Sequence, residues 1–276
     1  MSGTAGGNVL HNEVYAAARA GDPDRFAAAL LAPRACRDDL IALSAFSGEI
    51  RRIGETVREP HLGEIRLQWW RDALHDGVKG TRSGHPVADR FAEALILHAI
   101  PLNLIEDHLD AHAHTLYAEP PADDAALDLE FDLKEGHLFA IAAGMLGSGV
   151  AANEDARLEA GRAYGATMLA LRLPYALARE RSPLPLQRGI DWPDAASARA
   201  GLDGLIQQAR MHLTQLRSTF AALPKPMKTA LLPLALVEPY LKVLEDQGHD
   251  PVRDLPAISP LARVTRLALA QWRGRV

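Results

Sequence analysis

Cysteine and lysine are scarce in this chain of 276 residues. The single cysteine, Cys36, excludes internal disulfides and cysteine-rich zinc modules, and it is compatible with a reducing compartment. Only five of the 30 basic residues are lysines, so most of the cationic side chains are guanidinium groups. Because the net charge is −5 and the isoelectric point is near 6.1, we expect no nucleic-acid partner.

Signals for export and for membrane insertion are also missing. The N-terminal stretch MSGTAGGNVLHNEVY has neither the basic and apolar regions of a secretory signal nor the arginines of a transit peptide. The longest uncharged run, residues 138–153, contains three glycines and is shorter than the ~20 apolar residues of a membrane span. We therefore expect a cytoplasmic protein that can touch a membrane but does not cross one.

Standard catalytic and metal-binding motifs are absent. The chain has no G-x-G-x-x-G, P-loop, G-x-S-x-G or C-x-x-C sequence, and we expect Cys36 to lie half-buried at a helix start. His108 and His112 are four residues apart and would share a helix face with metal-ligand spacing, with Asp110 and His114 beside them. No third ligand is specified, and a solvated polar face explains the same residues.

Apolar residues recur at spacings of three and four, without sustained alternation, which predicts an all-α protein. Asp22-Pro23 is typical of a helix start, and Asn153 is a candidate cap for a later helix. Two apolar stripes are predicted: Leu43, Phe46, Ile50, Ile53 and Val57 in the first, and Leu158, Gly161, Gly165, Met168 and Leu169 in the second. We predict helices over roughly residues 12–20, 22–31, 36–58, 61–76, 86–99, 102–117, 125–146, 153–178, 197–222, 227–247 and 259–273.

The most distinctive segment is EPHLGEIRLQWWRDALHDG, residues 59–77. Adjacent residues of a helix cannot face the same way, so Trp69 and Trp70 should form a corner between two packing surfaces. Arg66 and Arg71 flank the pair. The segment is therefore either a core corner with stacked arginines or one wall of an apolar cavity.

Four segments resemble the squalene/phytoene synthase family: DPDRFAAALLAP, LIALSAFSGEIRRIGE, LGEIRLQWWRDAL and the stretch from LLPLALVEPYLKVL to PLARVTRLALAQW. The resemblance covers roughly residues 22–272 and implies a single domain over residues 1–276. It also implies the isoprenoid-synthase (terpenoid synthase) fold, with about ten helices around a central cavity. Enzymes of the family condense two prenyl diphosphates head to head, using Mg²⁺ ions held by two aspartate-rich helical motifs.

Neither aspartate-rich motif is present in this chain. In the first, Arg51 and Glu55 stand where aspartates are expected, and Arg52 occupies a further such position. A guanidinium group cannot ligate Mg²⁺, so Arg51 and Glu55 are better interpreted as an ion pair at i, i+4. In the second, Leu173 and Leu177 replace the acidic residues after Arg172, and Pro174 should kink or stop the helix. The RERSPLPL ending, residues 179–186, is degraded as well.

The pair EIRRIGE and EIRLQWW resembles a branch of the family that includes a mitochondrial assembly factor of respiratory complex I. This resemblance implies a non-catalytic role in assembly of NADH dehydrogenase, with a membrane subunit of that complex as partner and with no metal or cofactor. Two alternatives remain: a cavity that binds an isoprenoid, a quinone tail or a lipid, with Arg51, Arg52 and Arg172 meeting an anionic head group, and an active head-to-head prenyltransferase. The candidate cavity or ligand-binding residues are Phe46, Glu49, Arg51, Arg52, Glu55, Arg66, Trp69, Trp70, Tyr164, Met168 and Arg172.

Overall fold

The computed structural model describes residues 3–117, 119–178, 182–188, 194–246 and 248–276. Helices make up 75% of the chain, and none of these residues lies in a strand, so the all-α prediction is confirmed. Much of the irregular segment predicted across residues 179–194, including the start of RERSPLPL, lies outside the described residues. Within 182–188, a short 3₁₀-helix spans Leu186–Arg188.

The chain divides into two compact units. The first comprises Met1–Leu116 and Ala140–Ala152, and the second comprises Tyr117–Phe139 and Asn153–Val276. The first contains α1 (Gly3–Gly21), α2 (Pro23–Leu31), α3 (Arg34–Thr56), α4 (Pro60–Val78), α5 (Pro86–Leu97) and α6 (Asn103–His114). The second contains α7 (Asp124–Phe131) and a π-helical turn, Asp132–Gly136, and the unit boundary falls within α8 (His137–Met145).

The rest of the second unit is also helical. It contains α9 (Glu154–Leu171), α10 (Leu173–Leu177), α11 (Ala195–Phe220), α12 (Lys225–Ala230), a 3₁₀-helix (Leu232–Leu236), α13 (Val237–Leu244) and α14 (Pro260–Arg273). These bounds agree with the predicted segments to within a few residues, except that α1 begins well before residue 12 and that several long predicted helices are divided.

The core of the first unit forms around α3. The predicted stripe Leu43, Phe46, Ile50, Ile53 and Val57 is buried, as expected from its helical spacing. Phe46 is central because its ring stacks on that of Phe91 with centroids 4.5 Å apart and meets that of Trp70 edge-on at 5.6 Å. Such aromatic pairs add to the free energy gained by burial alone.

A contact between two glycines sets how α3 packs on the corner between α1 and α2. A Cβ atom on Gly48 would lie 2.5 Å from the Cα of Gly21, closer than any real contact allows. At this corner Asp22 caps α2 as predicted, accepting a hydrogen bond from the Arg25 backbone N–H at 3.2 Å, and Pro23 occupies the first turn. The two backbones can approach only because neither residue carries a side chain.

In the second unit, α9 packs against α11 and against the chain around the π-helical turn. The glycines of the second predicted stripe are buried, but Leu158, Met168 and Leu169 are only half-buried. Small residues instead dominate the buried face of α9, and a Cβ on Gly161 would lie 2.8 Å from the backbone of Gly136. Close backbone approach, which apolar periodicity does not report, therefore determines this packing.

Two predictions about the ends of α9 have different outcomes. Asn153 occupies the N-cap position of α9, as predicted, but it has a left-handed conformation, with φ 56° and ψ 48°, and its side chain makes no capping hydrogen bond. The predicted break is confirmed, since α9 ends at Leu171, α10 begins at Leu173, and Pro174 lies in the first turn of α10.

Candidate functional site

The position of the first expected metal-binding motif lies on α3 in the first unit, and Arg51 is its central side chain. The guanidinium group donates to the backbone carbonyl of Gly21 and lies 3.7 Å from the Asp22 carboxylate. Its Nε atom lies 3.8 Å from Glu55, which confirms the predicted i, i+4 ion pair. The side chain expected near a diphosphate is thus used to join α3 to the start of α2.

Asp22 is the buried centre of this cluster. It lies 3.1 Å from the Arg25 guanidinium and accepts a hydrogen bond from the Ser47 hydroxyl at 2.9 Å. Burial alone would raise the pKa of Asp22, but the charges of Arg25 and Arg51 and these hydrogen bonds outweigh it and lower the pKa from 3.8 to about 2. The carboxylate is therefore ionised and saturated by protein donors.

The other charged candidates on α3 are also paired. Arg52 lies 3.6 Å from Glu49, on the same helix and closer to solvent than Arg51. Glu49 and Glu55 are half-buried, and an arginine of α3 faces each carboxylate at less than 4 Å. In this arrangement the guanidinium groups neutralise the two carboxylates. A synthase that condenses prenyl diphosphates would need carboxylates at such positions to hold metal ions.

The two tryptophans of α4 occupy different environments, as predicted for a corner. Trp70 is buried against Phe46 in the core of the first unit, whereas Trp69 is 42% exposed. Their rings meet edge-on at 5.3 Å, and the ring of His85 lies 5.4 Å from Trp69 and 5.2 Å from Trp70. Arg66 is exposed on the outer side of α4. Trp70 is thus a core residue, whereas Trp69 and Arg66 are accessible on the surface of α4.

The position of the second expected motif lies in the second unit. Arg172 occupies the break between α9 and α10, and Leu173 and Leu177 are 0% and 1% exposed. Tyr164 is buried and meets Phe139 edge-on at 5.8 Å, while Met168 and Arg172 are half-buried. The leucines replace the expected carboxylates with buried apolar side chains that offer no metal ligand.

A polar cluster in the second unit was not predicted. Arg162 binds Asp132 through two hydrogen bonds of 3.0 and 2.7 Å, and His212 lies between Glu159, at 2.8 Å, and Asp128, at 3.7 Å. Burial alone would lower the pKa of His212, but its interactions with the two carboxylates raise it above 6.5. Asp128 on α7 and Asp132 in the π-helical turn are four residues apart, and this spacing was the sequence signal that could have indicated the cluster.

The histidine-rich segment on α6 does not form a solvated polar face throughout. His108 is buried, and its ring lies 5.6 Å from that of Phe46 and 4.7 Å from that of His112. Asp110 is exposed and pairs with Arg71. Within the described residues, no group of three His, Cys, Asp or Glu side chains is placed to hold a metal ion. Cys36 is half-buried near the start of α3, as predicted, and burial raises the pKa of its thiol.

Two concave pockets lie outside the expected site. One, of about 290 Å³, belongs to the first unit and is lined by residues that include Tyr15, Asp38 and Arg90. The other, of about 320 Å³, belongs to the second unit and lies beside α14. None of the candidate residues named from the sequence lines either pocket. Among the described helices, none is long and apolar enough to cross a membrane.

The helical architecture matches solved structures of one class. The structure of a dehydrosqualene synthase in complex with ligand aligns with a TM-score of 0.77 at 14% identity, covering 96% of both chains. Squalene synthase HpnC from Alicyclobacillus acidocaldarius aligns with a TM-score of 0.66 at 13% identity, covering 96% of this chain and 94% of that one. This chain is therefore an all-α protein with the isoprenoid-synthase fold.

The squalene/phytoene synthase family matches residues 18–273, and the chain belongs to that family. Among curated relatives, the protein of Mus musculus named "NADH dehydrogenase (ubiquinone) complex I, assembly factor 6" is 24% identical over 271 residues, covering 93% of this chain and 80% of the relative. The Homo sapiens protein of the same name is 22% identical over 269 residues, covering 92% and 80%.

Proposed function

We propose that this protein is a non-catalytic member of its family that acts in assembly of respiratory complex I, with a membrane subunit of NADH dehydrogenase as its partner. The observation that carries the proposal is the state of the two expected metal-binding positions. At one, Arg51 is bonded to Gly21 and Asp22, and at the other Leu173 and Leu177 are buried. The names of the curated relatives support the same role.

The proposed loss of prenyl transfer follows from the charge of the diphosphate. A diphosphate in an apolar cavity must be neutralised by cations, and Mg²⁺ needs hard oxygen ligands to be held there. The carboxylates of Glu49 and Glu55 are each within 4 Å of an arginine, and binding Mg²⁺ would require breaking those pairs. Arg51 could not move to expose Glu55 without leaving Asp22 buried with one cation fewer, which would be costly.

Head-to-head prenyl transfer is the second candidate, and the family match favours it. The test is incubation of the purified full chain with farnesyl or geranylgeranyl diphosphate and Mg²⁺, beside an active synthase of the family. We expect no squalene or phytoene-type product above that of heat-denatured protein. Product formation, or Mg²⁺ held by Glu49 and Glu55 in an experimental structure, would contradict the proposal.

The fold can also retain a ligand without turning it over. We propose that an isoprenoid or another lipid is such a ligand, because Trp69 on α4 leaves an exposed aromatic ring for contact with an apolar chain. Extraction of the purified protein with organic solvent, followed by mass spectrometry, tests this. A bound prenyl lipid at near-stoichiometric amount is the expected result, and an extract that matches a blank purification would refute it.

A further inference from the structure

The last helix, α14, exposes a continuous apolar stripe. Four large apolar side chains on it are exposed: Leu261 by 74%, Val264 by 44%, Leu269 by 41% and Trp272 by 81%. Their spacing of i, i+3, i+8 and i+11 places them on one side of a helix that turns about 100° per residue. Single exposed apolar residues are ordinary, whereas a stripe along a whole helix marks a contact surface.

This stripe is not the side by which α14 packs on its own unit. Leu267 and Ala270 are buried, and α14 contacts the 3₁₀-helix Leu232–Leu236. On the same side, Arg263 donates a hydrogen bond of 3.2 Å to the Tyr240 hydroxyl. The helix therefore has two apolar sides, one packed in the second unit and one facing solvent.

The charge on this part of the chain has one sign. From Leu255 to Val276 the sequence contains four arginines and no acidic side chain. Arg266 and Arg273 lie beside the exposed stripe and Arg275 follows the helix; in the described part of the chain, no carboxylate forms an ion pair with these three. The apolar stripe is thus bordered by positive charge, although the whole protein is acidic.

A basic groove continues from the end of α14. It has a volume of about 320 Å³, and four cations, Lys225, Lys228, Arg273 and Arg275, line it together with Trp272. None of the side chains that line it is acidic. The nearby Glu238 lies within 4 Å of Arg210 and Arg217, so its charge is already compensated. The groove therefore has the chemistry to receive an anionic phosphate group.

We propose that α14 docks this protein on the surface of an anionic phospholipid bilayer. The stripe of Leu261, Val264, Leu269 and Trp272 lies at the boundary between head groups and acyl chains, and lipid phosphates occupy the basic groove. A tryptophan at the edge of an apolar stripe bordered by arginines is typical of interfacial helices. Charge complementarity decides between occupants, because a neutral apolar partner surface would offer no counter-charge to the basic side chains that line the groove. This surface is separate from the proposed assembly role.

The test measures binding of the full chain to vesicles by co-sedimentation. Vesicles of phosphatidylcholine with about one-third phosphatidylglycerol should bind the protein, and vesicles of phosphatidylcholine alone should bind it at least about tenfold more weakly. Leu261→Ser with Trp272→Ser should abolish measurable binding. Arg266→Glu with Arg273→Glu should weaken binding by more than about tenfold, since each cation near the surface contributes about 1 kcal/mol.

Two control variants in the same unit match these changes in exposure and chemistry. Leu186→Ser alters an apolar side chain that is 73% exposed, and Arg253→Glu reverses an arginine that is 84% exposed. Both should bind vesicles like the unchanged protein, and all variants should keep the same helical circular dichroism spectrum.

Four results would overturn the proposal. The first is no binding to anionic vesicles, and the second is equal loss of binding in the control variants. The third is release from vesicles by millimolar inorganic phosphate or pyrophosphate at constant ionic strength, which would make the groove a site for a soluble anion. A change in oligomeric state on Trp272→Ser, with vesicle binding intact, would likewise replace the bilayer with a second copy of the chain.

Discussion

At the scale of single residues, the cluster around Asp22 shows how a buried charge stabilises the first unit. A pKa lowered from 3.8 to about 2 in a side chain only 3% exposed corresponds to about 2 kcal/mol of stability at neutral pH. Because the folded-state pKa is the lower one, this contribution is present above about pH 4 and is lost as the pH falls toward 2.

We therefore predict that Asp22→Asn lowers the free energy of unfolding in urea at pH 7 by about 2–4 kcal/mol, since it leaves Arg25 and Arg51 partly buried without their counter-charge. The loss should shrink as the pH is lowered from 4 toward 2, because the unchanged protein then loses the contribution of the ionised carboxylate as well. Asp72→Asn, which changes an exposed aspartate on α4, is the control and should have little effect. Equal stability of Asp22→Asn and the unchanged protein at pH 7 would show that the cluster is not structural.

His212 gives the second residue-scale prediction, with the opposite sign. Its pKa is raised in the folded protein by Asp128 and Glu159, so its stabilising contribution is complete below about pH 6.5 and is lost as the pH rises through the folded-state pKa. Unfolding in urea should show a loss of stability as the pH rises above about 6.5 that is absent in His212→Asn. His61→Asn, at an exposed site, should keep the slope of the unchanged protein. If stability changes with pH in the same way in the unchanged protein, His212→Asn and His61→Asn, the stabilising role of His212 is refuted.

At the scale of secondary-structure elements, Gly48 and Gly54, both on α3, provide two glycine-to-alanine variants with opposite expected effects. Gly48→Ala places a Cβ 2.5 Å from the Cα of Gly21, and backbone cannot move aside as a flexible side chain would. We expect it to lower the free energy of unfolding by about 1–3 kcal/mol. Gly54→Ala meets no atom within 4 Å, so it should raise that free energy by about 0.5–1 kcal/mol through helix propensity. Thermal unfolding measures both, and a stabilised Gly48→Ala would contradict the close contact.

The same elements show how far the sequence alone predicts the structure. Helix positions, the stripe on α3, the cap at Asp22 and the break at Pro174 follow from local spacing, and so does the pair of Arg51 with Glu55. The contacts of Arg51 with Gly21 and Asp22 join residues about thirty positions apart, and no local rule specifies them. The environment of His212 is likewise tertiary, since its two carboxylates come from α7 and α9.

At the scale of the whole molecule, the fold of a prenyl synthase is kept while the metal-binding carboxylates are absent from the expected positions. A fold does not define a function, so the choice between an assembly factor and a prenyltransferase depends on which activity the cell loses without the protein. An assembly factor acts through binding surfaces, and the exposed side of α4 around Trp69 is one such surface.

The most direct test is deletion of the gene in the organism that encodes it, followed by the NADH dehydrogenase activity of isolated membranes. We predict that this activity falls, that squalene, hopanoid and carotenoid levels stay unchanged, and that the unchanged chain or Gly54→Ala restores the activity. Normal NADH dehydrogenase activity together with loss of polyprenyl products would contradict the assembly role and would indicate that the protein is a prenyltransferase.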